Sequence, residues 1–504
     1  MLSRITLLAL VASIIFLFLL FSFSTPGPTT FGFHLYPPPS SPQPSKLSRL
    51  GRWEQSISLP IVPVAIAVLP RSGNVLVWAA DKANVFSSAT THTLSAIYNP
   101  STHAVSEHNV SVTHHNMFCP GLSMDTSGRV VVTGGSTANH TSIYDDAQGR
   151  WVPGSGMTMG RGYHAQATLS DGRIFTIGGS WSGPLGGKHG ELLDPIRSTW
   201  SPLPNTVVEP MLTHDDLGVF AADNHAWLFA WKNSSVFQAG PSTAMNWYGT
   251  DSLGNGSHVS AGPRGQDGDS MNGNAVLYDA VAGKILTVGG APSYTDSPSS
   301  NAAHVITLSQ TPFEKVNVQK IDSMRFPRAY ANSVVLPTGD VLVTGGATWA
   351  RQWADANATL VPELWSHTTQ RFSTLAEMPV PRTYHSVAVL LPDATVLTGG
   401  GGLCWEKCIG PEEEINHKDL QRYTPPYLFA PDVQWPRGRR YTATHAINTD
   451  QRRLALKPHP LESHRYSLII PEDSGVVIPG YWMLFAIKGG VPSIAQTVLI
   501  MKQN

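Results

Sequence analysis

Short apolar runs rich in β-branched residues recur along the chain, and each follows a turn that contains Gly, Asn or Asp. A representative copy is SDGRIFTIGG, which begins at Ser170. The seven copies begin at Arg71, Thr126, Ser170, Ala222, Val281, Pro337 and Leu391. Each copy indicates a hairpin turn followed by a strand that is buried on both faces. Their spacing of roughly 45–60 residues is typical of four-stranded propeller blades.

This pattern predicts an all-β fold, because the 3.6-residue periodicity of amphipathic helices is almost absent. Residues 51–424 are predicted to form a seven-bladed, kelch-like β-propeller. The repeat ends after residue 424, and later strands such as GYWMLFAI from Gly480 follow a different pattern. Residues 425–504 are therefore predicted to form a C-terminal, immunoglobulin-like β-sandwich.

The first residues predict export. Arg4 precedes an uncharged apolar run over residues 5–23, and a Pro/Ser-rich linker follows over residues 24–50. The run is intermediate in length between a signal-peptide core and a membrane span. Residues 1–23 are thus predicted to be a signal peptide or an uncleaved signal anchor, which makes the protein secreted or held at the cell surface by a membrane anchor. Five sequons are compatible with this route: Asn109, Asn139, Asn233, Asn255 and Asn357.

Charge and cysteine content limit the possible functions. The chain has 34 Lys and Arg against 35 Asp and Glu, with no basic stripe, so nucleic acid is not an expected partner. Cys404 and Cys408 are close enough in sequence to form a disulfide in an oxidising compartment. Cys119 is then left over, and an odd cysteine in an exported protein needs an explanation.

An Arg-x-Tyr tripeptide stands before three of the predicted strands and ends at Tyr163, Tyr330 and Tyr384. Histidine follows two of them, as His164 and His385. These tyrosines can be repeat residues that pack between blades. Alternatively, phenol oxygens and imidazole nitrogens suit Cu(II), and equivalent positions of successive blades converge on the propeller axis. His164 is interpreted as structural.

Long stretches of the sequence resemble galactose oxidase and the wider copper-radical oxidases from residue 51 to the C-terminus. They include HNMFCPGLSMD around Cys119, GRGYHAQATLSDGRIFTIGGSWSG around Tyr163, RTYHSVAVLLPD from Arg382 and TATHAINTDQRR from Thr442. The resemblance implies one copper ion as cofactor and the oxidation of a primary alcohol by O2 to an aldehyde and hydrogen peroxide. Two alternatives stay open: an aldehyde oxidase of the glyoxal oxidase kind, and a non-catalytic extracellular kelch-type binding module.

The resemblance also implies the roles of individual residues. Tyr163 would be joined to Cys119 by a thioether and would hold a stable radical, with Trp181 stacked over the cross-link. Tyr384 would be the axial ligand and the general base for the substrate hydroxyl. The copper ligands would be Tyr163, Tyr384, His385 and His445. Two one-electron acceptors are needed to oxidise an alcohol, and the copper and the radical would supply one each.

The implied substrate pocket is less polar than that of galactose oxidase. Its residues would be Phe86, Ala221, Tyr294, Thr295, Tyr330, Ala331 and Trp353. Galactose oxidase has an arginine in place of Ala221, a glutamine in place of Thr295 and a histidine in place of Ala331. Losing these groups removes hydrogen bonds that offset the desolvation of a sugar. An aliphatic or aryl primary alcohol is therefore expected as substrate, and galactose is disfavoured.

Two further expectations concern the C-terminal region and the product. The stretch between Leu428 and His445 is about thirty residues shorter than a full sandwich of this family requires, so the C-terminal domain is predicted to be truncated. An extracellular peroxidase that consumes the hydrogen peroxide, or that activates the oxidase, is an expected partner.

Overall fold

Strands make up nearly all of the regular structure. The computed structural model describes residues 7–9, 46–87, 90–215, 219–250, 254–405, 415–429, 437–439, 442–444, 450–461 and 465–501. The helices in these ranges are short: Lys46–Leu50 and Val219–Ala222 are α-helical, and Glu209–Met211 and Pro426–Phe429 are 3₁₀ turns. None of them is long and apolar enough to cross a membrane. The all-β prediction is confirmed.

Seven antiparallel sheets form the blades of the propeller, and in blades 1 to 6 the four blade strands follow one another outward from the axis in chain order. Blades 1 to 3 comprise Ala65–Val68, Val75–Trp78, Thr93–Tyr98 and Val105–Val110; Gly121–Met124, Val130–Thr133, Thr141–Asp145 and Arg150–Pro153; and Ala165–Thr168, Ile174–Ile177, Gly190–Asp194 and Thr199–Leu203. Blades 4 to 6 comprise Leu228–Ala230, Ser235–Gln238, Ala244–Gly249 and Ser257–Pro263; Asn274–Asp279, Lys284–Val288, Ala303–Thr307 and Asn317–Lys320; and Ala329–Val335, Val341–Ala347, Glu363–Trp365 and Phe372–Thr374. The predicted seven-bladed architecture is confirmed.

Blade 7 closes the ring by combining both ends of the propeller. Its inner strands are Ser386–Leu390, Val396–Gly400 and Asp419–Thr424, and its outer edge comes from Arg52–Trp53 and Ile57–Ser58. Arg52 pairs with Thr424 and Ile57 with Leu420. Because the first and last strands share one sheet, the ring cannot open without breaking that sheet's hydrogen bonds.

The two inner strands of each blade are almost entirely apolar and buried. Val130–Thr133 and Ile174–Ile177, for example, are buried at every position. Such strands lie between two neighbouring blades and pack on both faces, as their continuous β-branched runs predict. The outermost strands of blades 1 and 3, Val105–Val110 and Thr199–Leu203, are by contrast exposed at most positions.

The loops on one end of the propeller are joined to each other. Ser297–Pro298 of blade 5 pairs with Trp349–Ala350 of blade 6. On the far side, Cys404–Trp405 of blade 7 pairs in parallel with Val85–Phe86 of blade 1. We call this set of connected loops the rim. It surrounds the end of the axis at which the innermost strands begin.

The C-terminal region is β-rich. One sheet has the order Leu7–Ala9, Gln496–Ile500, Gly480–Phe485, Arg437–Arg439 and Leu454–Ala455. Two small antiparallel pairs accompany it, Pro458–Pro460 with Tyr466–Leu468 and Ile487–Lys488 with Val491–Pro492. The immunoglobulin-like sandwich, its truncation and the boundaries at residues 23, 50 and 424 stay predictions.

One C-terminal strand enters the central channel of the propeller. Thr442–Thr444 pairs with Ala65–Val68 of blade 1 and also lies beside Gly121–Met124 and Ser386–Leu390, the innermost strands of blades 2 and 7. The predicted ligand His445 follows this strand immediately in sequence and lies outside the described residues.

Residues 450–453 fasten the chain again at the opposite end of the channel. Asp450 accepts the backbone N–H groups of Met124 at 2.9 Å and Thr168 at 3.2 Å. Gln451, Arg452 and Arg453 donate to the carbonyls of Ser333, Ala230 and Thr338. Arg453 also donates to the Tyr278 carbonyl of blade 5 at 3.4 Å. Four consecutive side chains therefore contact five different blades, and the chain is held on both sides of residues 445–449.

Candidate functional site

Four tyrosine side chains meet where the innermost strands begin. The hydroxyl oxygens of Tyr163 and Tyr384 are 2.5 Å apart, although the residues are 221 positions apart in sequence. The Tyr294 hydroxyl lies 2.9 Å from that of Tyr384. Tyr330 packs its ring against Tyr384 with 5.0 Å between centroids. All four side chains are buried, so the cluster is a polar centre inside a hydrophobic surround.

Left-handed backbone turns direct side chains to this centre. Cys119, Tyr163, His225, Tyr330 and His385 have φ values of 60°, 61°, 54°, 61° and 68°. Such values are uncommon and strained for residues other than glycine. The Tyr163 N–H donates to the Cys119 carbonyl at 2.9 Å, and the His225 N–H donates to the Tyr163 carbonyl at 2.8 Å. Hydrogen bonds between neighbouring blades thus hold the strained residues in place.

The arginine of each Arg-x-Tyr tripeptide is structural. Arg161 is fully buried, pairs with Glu191 at 2.9 Å and donates to the Gly178 carbonyl at 2.9 Å. Arg328 and Arg382 make the equivalent contacts, with Glu363 and Gly345 and with Asp419 and Gly400. Each guanidinium joins the entrance of the innermost strand to the second and third strands of its blade. The tyrosine two residues later is thereby fixed in position.

Cys119 lies against Tyr163. It is a fully buried free cysteine, and its thiol is in hydrogen-bonding contact with the Tyr163 phenol. Burial raises the pKa of the Cys119 thiol and of the Tyr163 phenol well above their usual values. The two side chains are adjacent, as the predicted thioether requires, and the cross-link itself stays a prediction.

Trp181 covers the same tyrosine from another side. Its ring centroid lies 4.9 Å from that of Tyr163, and the two planes are inclined at 45°. The half-buried indole therefore leans over the phenol at an angle. The stacking of Trp181 over a thioether stays a prediction.

His385 has the features of a metal-ligating imidazole. Its ring stacks on Tyr384 with 3.8 Å between centroids. Nδ1 donates to the Gly402 carbonyl at 2.7 Å, which leaves Nε2 as the nitrogen with the lone pair. Burial lowers the pKa of His385 to about 3, so the ring is neutral at physiological pH. Both properties are needed for coordination through Nε2.

The donor set fits Cu(II). Two converging phenol oxygens and one oriented, neutral imidazole are suitable ligands for this ion. Within the described ranges no group of three or more His, Cys, Asp and Glu side chains is arranged to hold a metal, so the phenols distinguish this site. His445, the remaining predicted ligand, falls outside those ranges.

The phenols are neutral without a metal. Burial is the largest cause that raises the pKa of Tyr163, Tyr294, Tyr330 and Tyr384. Neighbouring phenols add to the effect, because each would oppose the negative charge of another. A bound cation is therefore required before these groups can act as phenolates near pH 7.

Most predicted pocket residues belong to one hydrophobic cluster around Tyr163. Those in the cluster are Phe86, Ala221, Tyr294 and Tyr330, with Trp353 packed against it. Trp353 approaches Tyr384 edge to face, with centroids 5.9 Å apart. Phe86 stacks on Phe118 at 4.3 Å, and the half-buried Thr295 follows Tyr294.

Ala331 packs in the cluster between blades 5 and 6, together with Val276 and Val343. It directly follows Tyr330 in the strand Ala329–Val335, where the φ of 61° at Tyr330 interrupts the regular alternation of side chains. A place for Ala331 in the substrate pocket stays a prediction.

Two contacts of the centre involve residues that the sequence did not single out. His225 Nε2 lies 3.1 Å from the Tyr294 hydroxyl, and burial lowers the pKa of His225 to about 3. The Gln352 side chain is in hydrogen-bonding contact with the Tyr384 phenol. His225 precedes the innermost strand of blade 4, as Tyr163 precedes that of blade 3. The sequence repeat hid this match, because the copy from Ala222 contains the first strand of its blade and the other six copies contain the second. Gln352 lies in a loop without a repeat pattern, so the sequence offered no signal for it.

The remaining sequence predictions concern Cys404, Cys408 and His164. Cys404 is buried and disulfide-bonded, whereas Cys408 lies outside the described residues. His164 places Nε2 2.8 Å from the Thr133 hydroxyl, between blades 2 and 3. That contact agrees with a structural role for His164.

Comparison with known proteins shows extensive similarity. The family model "Glyoxal oxidase N-terminus" matches residues 272–427, and "Galactose oxidase-like, Early set domain" matches residues 438–500. Galactose oxidase of Gibberella zeae is 45% identical over 498 residues, which cover 92% of this chain and 72% of that protein. Aldehyde oxidase GLOX1 of Arabidopsis thaliana is 23% identical over 461 residues, covering 76% and 71% of the two chains.

A solved structure is similar throughout. It is described as a novel fungal alcohol oxidase with catalytic diversity among the AA5 family, in complex with copper. It superposes with a TM-score of 0.85 at 41% identity and covers 90% of this chain and 100% of its own. The predicted fold and the predicted class of copper-dependent oxidoreductase are confirmed by these relatives. The chain belongs to the galactose oxidase family of copper-dependent oxidases.

Proposed function

We propose that this protein oxidises non-sugar primary alcohols, aliphatic or aryl, according to RCH2OH + O2 → RCHO + H2O2. The observation that carries the proposal is the convergence of Cys119, Tyr163, Tyr384 and His385 in one buried cluster. The same combination is not needed by a kelch-type binding module, because such a module has no use for a buried thiol against a buried phenol.

The residues divide the reaction between them. Tyr163, Tyr384 and His385 would hold the copper ion, which would supply one of the two one-electron acceptors. Tyr163, once cross-linked to Cys119, would supply the other and take the hydrogen atom from the substrate carbon, while the Tyr384 oxygen would accept the hydroxyl proton. Tyr294 supports this proton acceptor, since its hydroxyl lies 2.9 Å from that of Tyr384. Trp181 and Phe118 limit the access of water to Tyr163, because both pack at the same centre.

The pocket favours alcohols with an apolar body. Ala221 is buried in the same hydrophobic cluster as Tyr294 and presents only a methyl group where galactose oxidase has a charged donor. The aromatic rings of Phe86, Tyr330 and Trp353 pack in or against the same cluster. A sugar would lose hydrogen bonds to water there without finding replacements. An aryl or alkyl group would lose none.

A peroxide assay tests this function. Copper-loaded protein is expected to produce hydrogen peroxide from benzyl alcohol and n-butanol, because neither substrate needs the missing polar groups. Galactose and methylglyoxal should give much slower rates. A faster rate with methylglyoxal than with any alcohol would instead support an aldehyde oxidase, the activity named for the relative from Arabidopsis thaliana. Absence of peroxide with every substrate would defeat both.

We also propose that the protein is exported, with residues 1–23 as the targeting segment. All five sequon asparagines, Asn109, Asn139, Asn233, Asn255 and Asn357, are exposed. Enzymatic removal of N-glycans from protein secreted by its native host should therefore lower its mass. Unglycosylated protein in the cytosol would contradict export. A signal anchor and a peroxidase partner are finer proposals that fractionation and co-purification would decide.

A further inference from the structure

The loop over residues 347–358 of blade 6 reaches across the site. Its base is closed by a bridge between Ala347 and Ala358 and by the Thr348 N–H, which donates to the Asn357 carbonyl at 2.9 Å. At its far end it carries Gln352 and Trp353, the two residues of this loop that contact Tyr384. The loop therefore forms one wall above the proton-accepting phenol.

The blade 5 side of this loop is fixed by a backbone pairing. Ser297–Pro298 pairs with Trp349–Ala350, and the Trp349 indole N–H donates to the Asp296 carboxylate at 3.0 Å. This joint lies before Gln352 and Trp353 in sequence. It leaves the second half of the loop to be held by other contacts.

The blade 7 side is held by the side chain of Asp355. One carboxylate oxygen accepts from His417 Nε2 at 2.7 Å, and the other accepts from the Thr383 hydroxyl at 3.2 Å. His417 lies in the rim loop of blade 7, and Thr383 directly precedes Tyr384. The side chains of Asp355 and His417 are 24% and 14% exposed, so water competes for this pair only in part. Both partners of Asp355 belong to the blade that carries Tyr384 and His385.

The strained backbone of Trp353 makes the fastening necessary. Its φ is 50°, in the left-handed region that a bulky residue rarely occupies. Strain of this kind persists only where the surroundings over-determine the conformation. Two residues beyond Trp353, Asp355 supplies such a constraint by holding the second half of the loop against blade 7.

We propose that Asp355 is a positioning residue for substrate specificity: with His417 and Thr383 it holds the blade 6 loop so that Gln352 and Trp353 wall the alcohol site above Tyr384. The inference rests on the proposed alcohol oxidation. Because Asp355 contacts no residue of the Cys119–Tyr163 pair in the described structure, its loss should affect substrate binding more than the redox centre.

A double-mutant cycle tests the proposal. Asp355→Ala and His417→Ala are each expected to raise KM for benzyl alcohol about tenfold, with kcat within about twofold, since a hydrogen bond to a charged group is worth about that factor. The double variant should be no worse than Asp355→Ala alone, because the contact of His417 is already lost when Asp355 is replaced. His417→Gln, which keeps a donor, should restore part of the lost affinity.

A second Asp–His pair of the same blade provides the control. Asp340 and His367 are 2.9 Å apart and comparably exposed, but they lie at the opposite end of blade 6 from the rim. Asp340→Ala should leave KM unchanged. The loss of mass on formation of the Cys119–Tyr163 thioether, about 2 Da, should be the same in wild type and every variant.

Hydrogen exchange gives an answer that does not depend on turnover. Amides of residues 348–358 should exchange faster in Asp355→Ala than in wild type, whereas Asp340→Ala should not change them. Unchanged exchange, an unchanged KM or an equal KM effect in Asp340→Ala would overturn the proposal. If wild type oxidises no alcohol, the proposed function fails, and the exchange comparison still decides whether Asp355 holds the loop.

Discussion

Cys119→Ser is expected to lower kcat for benzyl alcohol by at least about a thousandfold while the propeller stays folded. The hydroxyl of serine cannot form the thioether to Tyr163, so the phenol keeps the high oxidation potential of an ordinary tyrosine. The substitution changes one buried atom next to Tyr163 and leaves the hydrogen bonds of blade 2 intact. Peroxide production, intact mass and thermal unfolding measure the three consequences.

Two companion variants separate chemistry from packing. Tyr163→Phe removes the radical site itself and should be as inactive as Cys119→Ser. Ser123→Ala alters another small, fully buried residue in the innermost strand of blade 2 and should keep near-normal turnover. Near-normal turnover by Cys119→Ser would rule out the thioether. An equal loss in Ser123→Ala would mean that the blade, and not the cross-link, had been damaged.

The fold could be predicted because the repeat that builds the blades can be recognised in the amino-acid sequence. Seven copies of a turn followed by a strand recur at nearly regular spacing. A strand that is buried on both faces requires apolar residues, mostly β-branched, at nearly every position. The closure of blade 7 by Arg52–Trp53 has no such signal. Those two residues do not carry the repeat pattern. Their position depends on which sheet lacks an outer strand when the ring closes.

The residues at the centre were predictable in part, for a physical reason. Tyr163 and Tyr384 stand behind arginines that need a buried carboxylate, so the Arg-x-Tyr tripeptide is visible as a pattern. Removing one partner of a buried ion pair strongly destabilises the fold. The ion pair of each arginine therefore fixes the position of the following tyrosine relative to its blade. Ala331 directly follows Tyr330 but packs in the cluster between blades 5 and 6, so the repeat position of one residue does not by itself fix the contacts of its neighbour.

Loop residues were not predictable from periodicity. Gln352 and Trp353 reach Tyr384 only because residues 347–358 cross from blade 6 toward blade 7. That path is set by one pairing with blade 5 and one Asp–His contact. Neither partner is near in sequence, so no local pattern reports the contact.

Wild-type protein is expected to prefer benzyl alcohol to galactose in kcat/KM, and Ala221→Arg with Thr295→Gln should raise the ratio of galactose to benzyl alcohol at least about tenfold. Ala221 is buried in the same hydrophobic cluster as Tyr294, so we expect an arginine introduced there to bring charged donors to the wall of the site. A hydrogen bond between a sugar hydroxyl and a charged donor contributes about 1.5–3 kcal/mol, which corresponds to a factor of about ten or more. Ala221→Leu with Thr295→Val fills similar space without donors and should not improve galactose oxidation. A wild-type preference for galactose would defeat this reading, because the pocket would then bind sugar hydroxyls without the arginine and the glutamine.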